Sequence, residues 1–515
     1  MMPRRMCKCL TALLSLLLFF TLCLSTALAA SAPDTSLDKV LSRFEAYAEK
    51  NRQAFGVPGM SIAVVAGDKL VYLKGLGTTA LGGGRPVDGD TIFQIGSTSK
   101  AFTSAMVAML ADQKKLAWDD RVIDHLPSFL MLDPWVTREF LIKDLMAQHT
   151  GLAPHAGEMQ AFFGFSQEQM IASLAHMTPV ASFRSAYAYQ NVPFLVAAKI
   201  VGRYSGLGYG EFLAKNIWQP LGMSRTSLPK EGLAVGDNVT RLHRIEGGKT
   251  VMLPQDWPYK SWIYLFGPAG GINSTAKDMA QWLRLHINRG EVDGKRLISA
   301  ENMDFMHTPA TPVGTRLAEG ELMQYCQAWV YARSGAPYTM IWHNGDTTVN
   351  HAMIAFMPGK KVGLVMLSNL GGVDMLDNLA RYFCDLYNGL EPKDYCGDYL
   401  AKLNKSGSES ELPPRPKNPS PPQALERYVG RFHNPIYQTV TISLKGAGLE
   451  MAMGPKPVRM KLTPWDRDQF LAQDLVDPAL VQCLVSFVTS PEGKIERFRV
   501  AGMENEAGGL FDRVK

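Results

Sequence analysis

A serine followed three places later by a lysine occurs four times in this chain, at Ser36/Lys39, Ser97/Lys100, Ser227/Lys230 and Ser274/Lys277. Ordinary residue usage gives roughly two such pairs by chance, so spacing alone selects none of them. A hydroxyl attacks a carbonyl near neutral pH only when a neighbouring base takes its proton. On a helix, residues three apart share a face, and S-x-x-K then sets an amine beside a hydroxyl. The amine must be partly neutral, a state that burial or a nearby cation favours. The serine should also open the helix, where free N–H groups can stabilise an oxyanion.

Local context separates the four pairs. Ser36 lies in a solvated stretch, and Pro229 falls inside the Ser227 motif, where it argues against a continuing helix. Ser274 opens the helical "STAKDMAQWL", but Thr275 with Asp278 forms a capping box that explains the segment structurally. Ser97 follows the strand-like "TIFQI" through Gly96, and a long apolar helix begins at once. It is either a positioned nucleophile or a plain capping serine. Two further patterns bear on that choice. Tyr189-x-Asn191 is the single Y-x-N of the chain; a tyrosine near a lysine can serve as general base, and an asparagine amide can orient lysine and substrate. H-x-G occurs at His149, His155 and His343. Turn formation explains the first two. His343, between "YTMIW" and "HAMIAFM", has a strand setting, and an edge strand there could offer an N–H as a second oxyanion donor.

The elements that must hold these residues read as an α+β arrangement. "SIAVVAGDKLVYLKGLG" (61–77) and "HAMIAFMPGKKVGLVMLSN" (351–369) each read as two strands around a turn, with helical stretches between them. Terminal strands would then share one antiparallel sheet. Residues 404–423 are rich in Ser, Pro and charge and read as a linker. Beyond them, "TVTISL", "LEMAM", "VRMKLT", "LVSFVT" and "IERFRV" alternate with turn signals, the pattern of an all-β barrel or sandwich.

The ordered set Ser97-x-x-Lys100, Tyr189-x-Asn191, His343-x-Gly345 resembles the serine β-lactamase and penicillin-binding-protein superfamily. It is most similar to the class C β-lactamase-like branch, which includes DD-peptidases, D-amino-acid peptidases and esterases. "DTIFQIGSTSKAFTS", "QHTGL", "GPAGGINSTAKDMAQWL" and "PGKKVGLVMLSN" extend the likeness over roughly residues 40–390. The tail resembles the lipocalin-like domain appended to some of these hydrolases. The resemblance implies an antiparallel sheet flanked by helices, an all-helical subdomain, and a small β-barrel behind them. Its organisation would be a signal peptide (1–29), a hydrolase domain (30–403), the linker (404–423) and the barrel (424–515).

By the same resemblance Ser97 is the acylated nucleophile, and Lys100 and Tyr189 share the general-base and general-acid work. Asn191, His343, Gly345 and Asp346 contact substrate, with the N–H groups of Ser97 and Asp346 as the oxyanion hole. The implied reaction forms an acyl-enzyme at an amide or ester and needs no metal or cofactor. A true β-lactamase or D-alanyl-D-alanine carboxypeptidase, a penicillin-sensing module and a vestigial scaffold are the alternatives. The motif at 343 departs from the family in reading His-Asn-Gly-Asp, with Asn344 replacing a hydroxyl-bearing residue. An Asp346 carboxylate facing the site would repel substrate carboxylates and favour esters or amines; one pointing away would leave only its N–H in play.

Arg4, Arg5 and Lys8, the apolar run Leu10–Leu24 and Ala27-Leu28-Ala29 form a secretory leader, which predicts a secreted or periplasmic protein without a membrane-spanning segment after cleavage. Losing those three basic residues takes the formal net charge from +5 to +2, which gives no reason to expect a nucleic-acid partner. No C-x-x-C or H-E-x-x-H is present, so metal sites have no sequence support. The mature chain keeps Cys326, Cys384, Cys396 and Cys483, read as buried free thiols, with Cys384 and Cys396 the pair closest in sequence. The expected partner is a small-molecule or peptide substrate, with a homo-oligomer through the tail as a further implication of the resemblance.

Overall fold

The computed structural model describes residues 36–514 apart from 230–232, 234–235, 237, 315–321, 334–337, 407–411, 479–481 and 507–508. The leader expected over 1–29 lies outside the described residues. The larger part of the chain is built on a nine-stranded antiparallel sheet. Its strands are β1 (Gly59–Ala66), β2 (Lys69–Ala80), β3 (Gly83–Pro86), β4 (Thr311–Pro312), β5 (Leu322–Tyr325), β6 (Val330–Arg333), β7 (Thr339–Asp346), β8 (His351–Met357) and β9 (Val362–Ser368). They lie in the order β4-β5-β6-β7-β8-β9-β1-β2-β3, so the first and last strands of this part pair as expected, with Ile62 opposite Met366.

β1, β8 and β9 read as continuous apolar runs because both faces of the sheet centre are covered. Side chains of a strand alternate between faces. Met60, Ile62 and Val64 pack with helices α1 (Leu37–Ala54) and α5 (Met375–Tyr387), where Phe44 meets Phe383 edge-on at 5.2 Å. Ala63 and Val65 face the other side, covered by α4 (Ala276–Ile287). Behind α4 runs α2 (Lys100–Asp112), joined to it by a Phe102–Trp282 stack at 4.0 Å. Every residue of α2 from Lys100 to Leu110 is buried, which marks it as a central helix. Short helices over 122–218, with α3 (Val192–Ser205) at their centre, form the helical subdomain.

Two local expectations change. "TIFQI" supplies only a two-residue strand, Phe93–Gln94, paired with Asn273–Ser274. Thr275 caps α4 by accepting from the Asp278 N–H at 3.1 Å, but the reciprocal half of the capping box is missing. The Asp278 carboxylate is drawn instead to the Arg225 N–H and the Thr226 hydroxyl.

The C-terminal strands close into an eight-stranded up-and-down barrel running from Gly430–Asn434 to Leu510–Arg513. Strands Gly430–Asn434, Gln469–Asp474 and Leu510–Arg513 complete the five visible in the sequence. Phe432, Phe470, Phe487, Phe498 and Phe511 fill its interior. Ahead of it, a helix spans Tyr395–Ser406, and Arg415 and Ser420 tie the following segment to the barrel carbonyls of Pro464 and Trp465 and to Asp466. Cys326, Cys384, Cys396 and Cys483 are free thiols. Among the described residues no helix is long and apolar enough to cross a membrane.

Several buried histidines are held neutral. His243 donates Nδ1–H to the Asn369 carbonyl and accepts the Leu81 N–H at Nε2, and burial lowers its pKa to about 4. His286 and His307 share one hydrogen bond of 2.9 Å, which leaves room for one proton between the two facing nitrogens. Burial lowers both, His307 to about 3. The unfolded chain protonates its histidines near about 6.5, so it binds more protons than the native state from there down to about pH 4. Stability should therefore fall on acidification through that window, by about 1.4 kcal/mol per pH unit for each histidine. Thermal melts from pH 7 to 4.5 check this; a constant Tm would contradict it.

Candidate active site

Ser97 sits in a 3-10 turn, Gly96–Ser99, that runs directly into α2. The Thr98 hydroxyl closes the turn onto the Ile95 carbonyl at 2.8 Å, and Ser99 Oγ accepts the Ile272 N–H at 3.2 Å. The turn therefore cannot rotate independently of the helix. Lys100 is the first residue of α2 and its side chain has no solvent exposure. Its Nζ lies 2.9 Å from Ser97 Oγ, 3.0 Å from the Ala269 carbonyl oxygen, and in hydrogen-bond contact with Asn191 Oδ1.

Burial lowers the Lys100 pKa to about 7, against a smaller opposing pull from the Glu158 carboxylate. Asn191 precedes α3 in the N-cap position, yet its side chain does not cap the helix. It bridges instead, taking Lys100 on Oδ1 and donating Nδ2–H to Glu158 Oε1 at 2.6 Å. Glu158 Oε1 also meets His155 Nδ1 at 2.9 Å, which raises the His155 pKa. Tyr189 covers the lysine, with Nζ 4.6 Å from its ring centroid, and its hydroxyl lies on the Ser97 side. Burial pushes the Tyr189 pKa well above 10, and the nearby Glu158 charge adds to that. A phenolate base is thereby disfavoured; the dry lysine is the group that gives up its charge.

β7 carries His343, Gly345 and Asp346, and it is not an edge strand: β6 and β8 flank it. β6 stops pairing with Val330 opposite Trp342, however, so His343–Asp346 pair on the β8 side alone. The Ser97 turn packs into the space this leaves. A Cβ on Gly345 would fall 2.1 Å from the Ile95 oxygen and 2.7 Å from the Ser97 nitrogen. Gly96, at φ +49°, faces it, and a Cβ there would meet the Gly345 carbonyl carbon at 2.8 Å and the Asp346 nitrogen at 2.9 Å. The backbone nitrogens of Ser97 and Asp346 meet at this contact, where an oxyanion hole would need them. Gly345 acts by its lack of a side chain.

Strand alternation sends Asn344 and Asp346 to the opposite face of the sheet. Asn344 donates to Asp377, and the Asp346 carboxylate accepts the N–H groups of Thr348 and Gly372, the latter at 2.6 Å. Asp346 therefore does not present its charge to the cleft. His343 faces the site side. Its Nδ1–H donates to the Asn344 carbonyl, so Nε2 accepts from the Tyr325 hydroxyl at 2.9 Å. Burial, with Lys100 nearby, lowers its pKa to about 3, and it stands as a neutral ring 6.2 Å from Tyr189.

Ser274 with Lys277, and His149, serve structure. Ser274 Oγ is buried against Thr226 while Lys277 reaches out to Asp90. Lys230 lies outside the described residues. His149 is locked between Asp144 and Thr311 at 2.8 Å on each side. His155 does belong to a turn, as its sequence suggests, but that turn brings His155 and Glu158 against Asn191. Glu158, Tyr325 and the Ala269 carbonyl are members of the site that motif spacing did not reveal. Among the described residues no group of three or more His, Cys, Asp or Glu side chains is placed to hold a metal.

A helix-flanked antiparallel sheet with a serine–lysine pair at the N-terminus of its central helix defines a serine hydrolase of the β-lactamase/DD-peptidase fold. The chain belongs to the beta-lactamase family, whose model matches residues 44–385; a domain of unknown function, DUF3471, matches 414–509. It is 25% identical to the unguisins hydrolase ungD' of Aspergillus campestris (strain IBT 28561) over 502 residues, 90% of each chain. It is 24% identical to the D-alanyl-D-alanine-carboxypeptidase/endopeptidase AmpH of Escherichia coli (strain K12), over 73% of this chain and 96% of that one. Among solved structures, the octameric penicillin-binding protein homologue from Pyrococcus abyssi superposes with a TM-score of 0.60 at 21% identity, covering 89% of this chain and 98% of that one.

The Gly96–Gly345 contact sets a strict steric test. Gly345→Ala should push β7 off the Ser97 turn, costing about 1–3 kcal/mol of stability and about a hundredfold in turnover. Denaturant melts and esterase rates measure both, and wild-type turnover in this variant would refute the close-approach role.

Proposed function

We infer that the protein hydrolyses amide or ester bonds through an acyl-enzyme at Ser97. The observation that carries this is the 2.9 Å contact between Ser97 Oγ and a lysine whose burial brings its pKa to about 7. Neutral Lys100 takes the Ser97 proton as Oγ attacks the carbonyl carbon, and the N–H groups of Ser97 and Asp346 receive the developing oxyanion. Asn191 fixes the lysine during this transfer. Tyr189, protonated at working pH, passes its proton to the leaving amine or alkoxide and takes in its place the one now held by Lys100, so no phenolate persists. Water then attacks the acyl carbon, its proton returns through the same groups, and Ser97 is released.

The neutral His343 bears on substrate choice. At this strand position the chain offers a carboxylate only hydrogen bonds, with no fixed positive charge, and Tyr187, Tyr189 and Tyr325 line the same side. Peptide-type amides and esters fit that surface better than penicillins, which carry an obligatory carboxylate. The repulsion that an inward-facing Asp346 would supply is not part of this basis, because its carboxylate is held by the Thr348 and Gly372 N–H groups. The relative named as a D-alanyl-D-alanine-carboxypeptidase/endopeptidase supports an amide substrate. The leader residues support action outside the cytoplasm.

A fluorophosphonate probe should label the wild type and not Ser97→Ala, while nitrocefin turns over far more slowly than in efficient β-lactamases. Rapid nitrocefin hydrolysis would overturn the substrate reading, and labelling that survives in Ser97→Ala would overturn the nucleophile. A permanently trapped acyl form with no turnover would favour a sensor instead.

The lysine also sets the pH dependence. Only its neutral form accepts a proton, and that fraction grows as pH rises through about 7. Hence kcat/KM should plateau above about pH 8 and fall about tenfold per unit well below 7. Lys100→Arg, charged at every working pH, should be inactive; a profile flat from pH 5.5 to 8 would exclude Lys100 as the base.

A further inference from the structure

We propose that the C-terminal barrel is a working part of the active site, with Glu506 as a positioning residue that acts through the Gly157–Glu158 turn on Asn191 and Lys100. The inference rests on the Ser97–Lys100 reading above and extends it to a part of the chain that carries none of the motifs.

Glu506 lies in the connection before the last barrel strand and is 8% exposed. Its Oε1 accepts the backbone N–H of Gly157 at 2.7 Å, and its Oε2 accepts the hydroxyl of the fully buried Tyr437. Burying a carboxylate is costly unless its oxygens are satisfied. A barrel that merely rested on the catalytic part would need only apolar contacts here, such as Phe163 against Tyr437 at 5.8 Å. A carboxylate aimed at one N–H instead fixes the place of one turn.

That turn is under conformational constraint. His155 is a non-glycine residue at φ +61°, and Gly157 is at φ +79°, where a Cβ would come within 2.6 Å of Met177 Cε. Met177 itself bridges to Glu506, and the Thr178 N–H donates to the Asn505 carbonyl at 3.2 Å. The barrel thus holds both strands of chain that frame the turn. The next residue, Glu158, bonds Asn191 Nδ2, and Asn191 Oδ1 bonds Lys100 Nζ. An amide has one oxygen face and one nitrogen face, so a carboxylate on Nδ2 turns Oδ1 toward the lysine. Held in this way, Glu158 does two things: it orients Asn191, and its charge partly restores the proton affinity that burial takes from Lys100. The titratable groups facing this relay are His155, Glu158, Tyr189 and Lys100 from the catalytic part and Tyr437 and Glu506 from the barrel.

The test uses the full chain with p-nitrophenyl acetate turnover and fluorophosphonate labelling followed from pH 5.5 to 9, together with Tm. Glu506→Ala should lower kcat about ten- to a hundredfold and move the acid limb of kcat/KM to lower pH, because Glu158 no longer raises Lys100. Glu506→Gln, which keeps an oxygen for the Gly157 N–H, should recover most of the rate. Tyr259→Phe removes a different contact between the two parts, the hydrogen bond to Asp474; it should lower Tm and leave the rate and acid limb in place. Should Glu506→Ala fail to fold, Tyr437→Phe, which frees Glu506 to swing, should shift the acid limb in the same direction. An unmoved acid limb and rate in the folded variants, or an equal shift in Tyr259→Phe, would overturn the proposal while Ser97→Ala stays silent. Hydrolysis surviving in Ser97→Ala would remove the reading of the site and this inference with it.

Discussion

A lysine kept out of water is the constraint around which the rest of this molecule is arranged. Lys100 has its ammonium at the start of a helix that is buried on every side, and the protonated form is disfavoured by about 5 kcal/mol relative to water. Such a group is tolerated because three oxygens surround it, from Ser97, Asn191 and Ala269, each delivered by a different element. The 3-10 turn ahead of α2 brings Ser97, Asn191 stands just before α3, and the Gly267–Gly270 turn points its Ala269 carbonyl inward. None of these elements could shift by an ångström without leaving a polar atom of the lysine unsatisfied in a dry setting. The same condition that makes the site costly therefore makes it rigid.

The second constraint is steric and has no charge in it. Gly96 and Gly345 meet backbone to backbone, and this contact sets how far the Ser97 nitrogen stands from the Asp346 nitrogen. β6 ends early enough to leave that half of β7 unpaired on one side, and the turn takes the space. A sheet that paired fully there would leave no room for it. In the proposed mechanism the lysine cluster aims Ser97 and the glycine contact places the two N–H groups that would receive the oxyanion. The two are joined within the single peptide Gly96–Ser97, so on the proposed mechanism proton transfer and charge stabilisation share one rigid origin.

Much of this was legible in the sequence, for identifiable reasons. The paired strands at 59–80 and 351–368 announce themselves because β1, β8 and β9 are buried on both faces and the turns between the pairs are Gly-Asp and Pro-Gly. Helix α2 and the choice of Ser97 follow from an apolar run that starts directly behind the serine. What escaped depends on tertiary contact. Glu158 has no motif spacing to Lys100 and meets it through Asn191. Tyr325 is an ordinary strand residue until His343 comes to face it. The direction of Asp346 was left open by its spacing and was decided by Thr348 and Gly372, two N–H groups of neighbouring loops. The capping box at Thr275 failed for a similar reason, since Asp278 found a stronger claim in the Arg225–Thr226 backbone and hydroxyl. The barrel strand Gly430–Asn434 is short and polar on one face, and it becomes a strand by pairing with both Gln438–Lys445 and the final strand.

The relation between the barrel and the catalytic part follows from the same physics of burial. Interfaces between parts of a chain are usually polar enough to let the parts move. Here Phe163 packs against Tyr437, Gly454 approaches the Phe163 carbonyl too closely for any Cβ, and one apolar core continues from the helical subdomain into the barrel. Around that core sit charged and polar contacts that are buried or largely so: Asp477 with Arg244 and Trp257, Asp474 with Tyr259, Glu506 with Tyr437. A hinge cannot open under these conditions without exposing apolar surface and stranding carboxylates together. The barrel is thus a fixed wall, and the segment it fixes, residues 155–178, runs past Asn191 on its way to the Tyr189 loop. Any change of the barrel that altered its seat would reach the lysine before it reached the serine. That ordering makes the proton affinity of Lys100, the base of the proposed mechanism, more exposed to the C-terminal part of the chain than the position of Ser97.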